Sequence, residues 1–266
     1  MLPDFLGIGA QRAATTWIHR CLAEHPEVFV PPEKELNYFG SSFDRGCEWY
    51  ESCLPASYVH PVRAIGEVSP SYLVAPKAPE RMAALVPNAR LFVILRDPVD
   101  RAYSAFQLFR GERYGRRSFA DVCVAGSDLV RQGLYAEHLT RLERYFPVER
   151  TRVWLYEDIE EDPGRVLAEL FTYLGVDPSV VPPSVGKRFN RVMFSRSQRA
   201  LGALGLGRVV EGVKGTPVGT WIKRRHAAAA SNGPTMEERQ VALAFFERDV
   251  CALEERLGRD LTPWRS

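Results

Sequence analysis

The run Leu91-Phe92-Val93-Ile94-Leu95 constrains the fold more than any other stretch. It is a continuous apolar segment bounded by polar residues. That pattern predicts a strand buried on both faces, as in a parallel sheet whose crossovers place helices on each side. The run ends in Arg96-Asp97-Pro98, and Pro98 suits the first turn of a following helix because it has no N–H to leave unpaired. Shorter apolar runs repeat the arrangement. Phe5 to Ile8, Ala64 to Val68 and Arg152 to Tyr156 read as strands, and Val28-Phe29-Val30 is a further short apolar run before the turn Pro31-Pro32. Between them lie helical patterns at about Thr15 to Glu24, Ala78 to Leu85, from Pro98 onward, Gly133 to Phe146, and Asp162-Pro163 through Leu174-Gly175. A last long helix, capped by Thr235, carries Met236, Val241, Leu243, Phe246, Val250, Leu253 and Leu257 on its apolar face. Alternation of this kind predicts an α/β, three-layer domain with a mainly parallel central sheet flanked by helices. At 266 residues and 45% hydrophobic content, residues 1–266 are expected to form one domain.

Composition narrows the partners. The net charge is +2, so no global field points to nucleic acid. Lysine is confined to Lys34, Lys77, Lys187, Lys214 and Lys223, which leaves anion recognition mainly to arginine and backbone N–H groups. Cys21, Cys47, Cys53, Cys123 and Cys251 show no CxxC or Cys/His ligand spacing, and free thiols are expected. No apolar run reaches membrane-spanning length. The chain enters its first strand almost at once, without room for a signal peptide. A cytoplasmic location is the expectation.

Three segments carry chemistry. The loop Gly9 to Ala14 joins a buried strand to a helix beginning at Thr15, and a helix N-terminus offers unpaired N–H groups and positive dipole to an anion. Arg12 adds charge, and Thr15 and Thr16 add hydroxyls; the plainer alternative is a βα turn with a Thr cap. In Arg96-Asp-Pro-Val-Asp-Arg-Ala-Tyr-Ser104, Arg96 at a strand end and Ser104 on the next helix can clamp a second anion. Its plainer alternative makes Asp97 an N-cap and leaves Arg96 and Arg101 in surface ion pairs. Glu35, beside Leu36 and Tyr38-Phe39, can serve as a general base; otherwise it is one of the solvated charges in Glu33-Lys34-Glu35. Ligands of parallel sheets bind beyond the strands' carboxyl ends, which draws the loop 9–15, the Val68-Ser69 strand end and Arg96 to one edge. The loop lacks the GK[ST] of a nucleotide-hydrolase P-loop, which disfavours a kinase.

Gly9-Ala-Gln-Arg-Ala-Ala-Thr-Thr-Trp17 resembles the 5′-phosphosulfate loop of the sulfotransferases that use 3′-phosphoadenosine-5′-phosphosulfate (PAPS). Arg96-Asp-Pro-x-x-Arg-x-x-Ser104 is similar to that family's 3′-phosphate motif. Lys34-Glu-Leu-Asn-Tyr-Phe39 resembles the segment holding the catalytic Glu in the heparan sulfate branch. Gly66-Glu-Val-Ser-Pro-Ser-Tyr72, Gly133-Leu-Tyr-Ala-Glu-His-Leu139 and Leu257-Gly-Arg-Asp-Leu-Thr-Pro-Trp264 extend the likeness in order over most of the chain. The resemblance implies a P-loop-like fold, PAPS as co-substrate, no metal, and transfer to a hydroxyl or amine of a glycan or small natural product. It gives Arg12 the charge at the 5′-phosphate and bridging oxygen. Backbone and hydroxyl groups of Ala13, Ala14, Thr15 and Thr16, with Trp17 closing the motif, take the 5′-phosphate. Arg96 and Ser104 take the 3′-phosphate, and Glu35 the acceptor proton.

The chain departs from the family where Lys is usual at Arg12, Gly at Ala14, and, in the heparan sulfate branch, Lys at Val68. Ala14 is expected to close off backbone angles open to Gly. A late basic loop contacting the 3′-phosphate has candidates in Lys214-Gly215 and Lys223-Arg-Arg225. The acceptor falls to the excursion 40–64, the basic loop 110–117 and the region 177–234; Arg110, Arg113, Arg116 and Arg117 suit an acidic acceptor or simply a solvated loop. Two other functions compete: a P-loop-related small-molecule kinase, which requires ATP and Mg²⁺, and a non-catalytic protein that binds adenosine 3′,5′-bisphosphate (PAP).

Overall fold

The computed structural model describes residues 1–58, 60–186 and 233–265. Five strands, β1 (Phe5–Gly9), β2 (Val28–Phe29), β3 (Ala64–Val68), β4 (Arg90–Leu95) and β5 (Thr151–Leu155), form one sheet in the order β2-β3-β1-β4-β5. Every pairing is parallel, so each crossover runs through helical chain and the sheet is covered. The predicted α/β architecture with helices flanking a parallel sheet is the one observed. Leu91 to Leu95 are all buried, as the unbroken apolar run requires.

Close packing fixes the spacing of the three inner strands. Gly66 faces Phe5, and a Cβ there would lie 2.5 Å from the Phe5 ring and carbonyl. Gly7 sits between Val68 and Phe92, with 2.6 Å separating a would-be Cβ from the Phe92 ring. No larger residue fits either place without moving a strand.

Local capping chemistry sets the helices. Asp97 opens the helix Pro98–Phe109 by accepting from the N–H groups of Val99 (2.8 Å) and Asp100 (3.1 Å). Asp162 caps Pro163–Leu174 in the same way, and Gly175 ends it at φ 79°. Arg101, which the plainer sequence reading put in a surface ion pair, is instead fully buried.

Other boundaries differ from expectation. The excursion 40–64 contains a short helix, Cys47–Ser52, and the basic loop begins with a π-helical turn, Arg110–Tyr114. The helix expected from Gly133 starts at Tyr135, because its first N–H groups are capped from another element: Asp249 accepts from Ala136 (3.0 Å) and Glu137 (3.1 Å). The expected last helix is two, Met236–Leu243 and Glu247–Leu257. Ala242, Phe246, Val250 and Leu253 are buried, whereas Met236 and Val241 are exposed and off that stripe. Phe246 fills the space over Gly133, where a Cβ would come within 2.7 Å of its ring. Among the described residues no helix is long and apolar enough to cross a membrane.

Candidate active site

The strand order makes β1 the switch point, with β3 on one side and β4 on the other, so the loops leaving these three strands meet over its carboxyl end. A cavity of about 480 Å³ opens there. Arg12, Ala14, Thr15, Thr16, Trp17, Lys34 and Glu35 line it from the β1 loop and the segment after β2. Leu108, Phe109 and Tyr156 also line it.

The β1 loop is held down by Ala10 N–H donating to the carbonyl of Ile94 on β4 (2.8 Å). Arg12 and Ala14 both take left-handed backbone, at φ 72° and 57°. Ala14 therefore adopts the conformation that its Cβ was expected to exclude: the left-handed α region is narrow for alanine and still open to it. Thr15 and Thr16 then open the helix Thr15–Ala23, in the turn where N–H groups have no intrahelical acceptor. Ala13 is buried beneath the loop. Trp17 packs inward, and its indole N–H donates to the carbonyl of Ser184 (3.1 Å). Ser184 is in turn bound through its hydroxyl (2.6 Å) and N–H (2.8 Å) to Glu24, which brings Val185 and Gly186 to the cavity rim.

Three guanidinium groups gather on the β4 side. Arg12 Nε donates to Ser104 Oγ at 3.0 Å, and Arg96 Nη1 reaches the carbonyl of Arg12 at 3.4 Å. Arg96 also pairs with Asp100 (3.7 Å) and lies 4.7 Å from the centre of the Tyr156 ring. Arg101 donates to the Leu129 carbonyl and to Gln132 Oε1, and its Nε has no hydrogen-bond partner among the described residues. Burial, then Arg96 and Arg101, push the Arg12 pKa down, against the pull of Glu35. Clustered, partly dehydrated cations of this kind favour an anion among them. Arg96 and Ser104 reach the cavity through Arg12 and Tyr156 and are not on its wall.

The opposite side is built on a buried carboxylate. Glu67, on β3, is fully buried and accepts from Tyr50 (2.9 Å), Tyr72 (2.6 Å) and Ser69 (2.6 Å) hydroxyls. Burial pushes its pKa up, and those hydroxyls hold it back. Ser69 Oγ also accepts the N–H of Asn37 (3.0 Å), and Ser71 Oγ donates to Asn37 Oδ1 (2.5 Å). Asn37 Nδ2 donates to the carbonyl of Glu35 (2.8 Å). Glu35 and Asn37 are both left-handed, at φ 66° and 52°. Asparagine tolerates that region and glutamate does so at a cost, so the bonds from Asn37 hold the turn. The role of Gly66-Glu-Val-Ser-Pro-Ser-Tyr72 is thus to anchor the Glu35 turn.

Glu35 is 39% exposed and is not simply a solvated charge: it pairs with Lys34, whose side chain is 17% exposed and whose Nζ also lies 3.4 Å from Thr15 Oγ1. Lys34 and Tyr156 belong to this site, although the sequence reading assigned neither a role there. Lys34 is hidden in a charged triplet; Tyr156, at the end of β5, could have been found by the strand-end rule. Lys214, Gly215 and Lys223 to Arg225 lie outside the described residues.

A helix N-terminus, Arg12 of the cation cluster and the Lys34–Glu35 pair thus meet at one cavity. The sulfotransferase domain family matches residues 2–198, and the chain belongs to that family. It is 29% identical over 287 aligned positions to the bifunctional heparan sulfate N-deacetylase/N-sulfotransferase 4 of Mus musculus, covering 99% of this chain and 31% of that protein. It is 30% identical over 182 positions to the human heparan sulfate glucosamine 3-O-sulfotransferase 6, covering 65% of this chain and 52% of that protein. The chain thus spans less than two thirds of either relative. A solved sulfotransferase from Alicyclobacillus acidocaldarius has the same fold, with a TM-score of 0.74 and 24% identity over the full length of both chains.

Proposed function

We propose that the chain transfers a sulfuryl group from PAPS to a hydroxyl or amine of a glycan or small natural product. The observation that carries this reading is the meeting of a helix N-terminus, Arg12 and the Lys34–Glu35 pair around one cavity. A nucleotide bearing a 5′-phosphosulfate and a 3′-phosphate suits this wall. The first turn at Thr15-Thr16 supplies N–H and hydroxyl donors, Arg12 a charge, and the Arg96/Ser104 side a second place for anionic oxygen. When bound, PAPS supplies the activated sulfuryl group. Glu35 lines the same cavity as Arg12 and takes the acceptor proton. Catalysis is then mostly positioning and charge stabilisation, as in phosphoryl transfer. The names of the two relatives favour a glycan acceptor, and both N- and O-transfer are represented among them.

A calorimetric titration tests the donor assignment. PAP is expected to bind at micromolar dissociation constant or tighter (about −8 kcal/mol) without added metal, and ATP far more weakly. Equal affinity for ATP, or binding only with Mg²⁺, would favour the kinase reading and remove this one. PAP binding without transfer of label from PAPS to any glycan or metabolite would leave a non-catalytic binder.

A further inference from the structure

The geometry points to Lys34 as a second catalytic residue, one that receives the charge leaving with the 5′-phosphate while Glu35 receives the acceptor proton. This rests on the proposed PAPS-dependent transfer.

Among the described residues Lys34 is the lysine on the cavity wall, and its ammonium is paired with the Glu35 carboxylate and lies 3.4 Å from Thr15 Oγ1. Thr15 opens the helix proposed to hold the 5′-phosphate, so a group reaching its hydroxyl also reaches a phosphate oxygen beside it. Arg12 is less free. Its Nε is committed to Ser104 on the β4 side, and Arg96 donates to its carbonyl. An ammonium on a flexible stem, with three rotatable donors, can change partners where a forked guanidinium held at one edge cannot. Val68, on β3, offers no charge.

The two events are coupled by charge. In the transfer step the bond from the acceptor oxygen or nitrogen to sulfur forms, and the bond from sulfur to the bridging oxygen breaks. The electron pair of that bond stays on the oxygen, which becomes part of the 5′-phosphate of PAP. The acceptor proton passes to Glu35. As Glu35 is neutralised, Lys34 loses its ion-pair partner at the moment the bridging oxygen gains charge. The ammonium's strongest acceptor is then the departing phosphate. The interaction of the Lys34 ammonium with the bridging oxygen grows toward the transition state, which is the condition for acceleration.

A double-mutant cycle tests this: wild type, Lys34→Met, Glu35→Gln and the pair, each followed by single-turnover release of PAP from labelled PAPS and by calorimetric PAP affinity. Lys34→Met is expected to slow release at least 30-fold and to weaken PAP less than tenfold. Combined with Glu35→Gln, it should cost at least a further tenfold beyond Glu35→Gln alone. A double variant no slower than Glu35→Gln would reduce Lys34 to a prop for Glu35 and overturn the proposal. So would a Lys34→Met enzyme of wild-type rate. Lys34→Arg, which keeps the charge on a bulkier, forked group, should recover part of the rate; a Lys34→Arg variant as slow as Lys34→Met while binding PAP normally would count against a role carried by charge. Wild-type protein that fails to bind PAP would bring down the donor assignment itself, and that result precedes any variant.

Discussion

Asn37 holds a left-handed turn together with three bonds: its N–H to Ser69, its amide oxygen from Ser71 and its amide nitrogen to the carbonyl of Glu35. The last of these fixes the residue proposed as base, at a backbone angle that glutamate does not choose freely. Asn37→Gly separates the two contributions, since glycine accepts the left-handed backbone and cannot make the side-chain bonds. We expect this variant to lose about tenfold or more in turnover with a glycan acceptor, while PAP affinity stays within threefold. Unchanged turnover, measured beside calorimetry, would show that the amide does not hold Glu35. Ala14 has no such support. It carries its left-handed angle at a cost of about 1–2 kcal/mol, and the loop retains it because Ala10 and the helix start fix both ends.

At the scale of elements, the helices are positioned as much by distant side chains as by their own caps. The helix Tyr135–Glu143 has no side-chain cap at Leu134 and takes one from Asp249, on the last helix. Asp249→Ala is expected to cost about 1–2 kcal/mol, and Asp249→Asn, which keeps an acceptor, less than half of that. Thermal or urea unfolding checks both; equal losses would mean that charge rather than hydrogen bonding holds the junction. This long-range cap also explains what could be read in the chain and what could not. The strands were legible because they are buried: Leu91 to Leu95 is apolar without interruption, and Ala64 to Val68 is broken only by Glu67, whose carboxylate is buried on hydroxyl donors. Helices capped by their own neighbours, such as Asp162-Pro163 through Gly175, could be bounded from sequence. The start at Tyr135 could not, because its partner lies 113 positions away. The break at Ala244 to Phe246 depends on the room over Gly133, again a matter of tertiary packing. The site divided similarly: Arg12, Thr15, Thr16 and Glu35 stood out by motif, whereas Lys34 declared itself only when its ammonium was seen against Thr15.

For the whole molecule, the cluster of Arg12, Arg96 and Arg101 is a store of unfavourable charge that an anion relieves. Arg101 is fully buried with an unpartnered Nε among the described residues, and burial, then the charges of Arg96 and Arg101, lower the pKa of Arg12. Ligand binding and folding should therefore be strongly linked. At a PAP concentration about 100 times its dissociation constant, stability should rise by about 2.7 kcal/mol, a shift of about 5–10 °C in melting temperature for a chain of this size. Differential scanning calorimetry with PAP, and with adenosine as a control lacking phosphate, measures it. A similar shift with adenosine would place the stabilisation in the base contacts and not in the cations.

The position of β1 has a further consequence for how such a protein can diversify. The turn that carries Glu35 is anchored to β3 through Ser69, and Arg12, on the β1 loop, meets Ser104 on the helix after β4; the two halves share β1 and its loop. Gly7 and Gly66 leave no room for a Cβ against Phe92 and Phe5, so the shared seam is closely packed. Inheritance can then act on the two halves separately. Residues around the Glu35 turn can vary on one side of β1 while the cation cluster on the other stays as it is, provided Lys34, Glu35, the Asn37 anchor and the two glycines are kept.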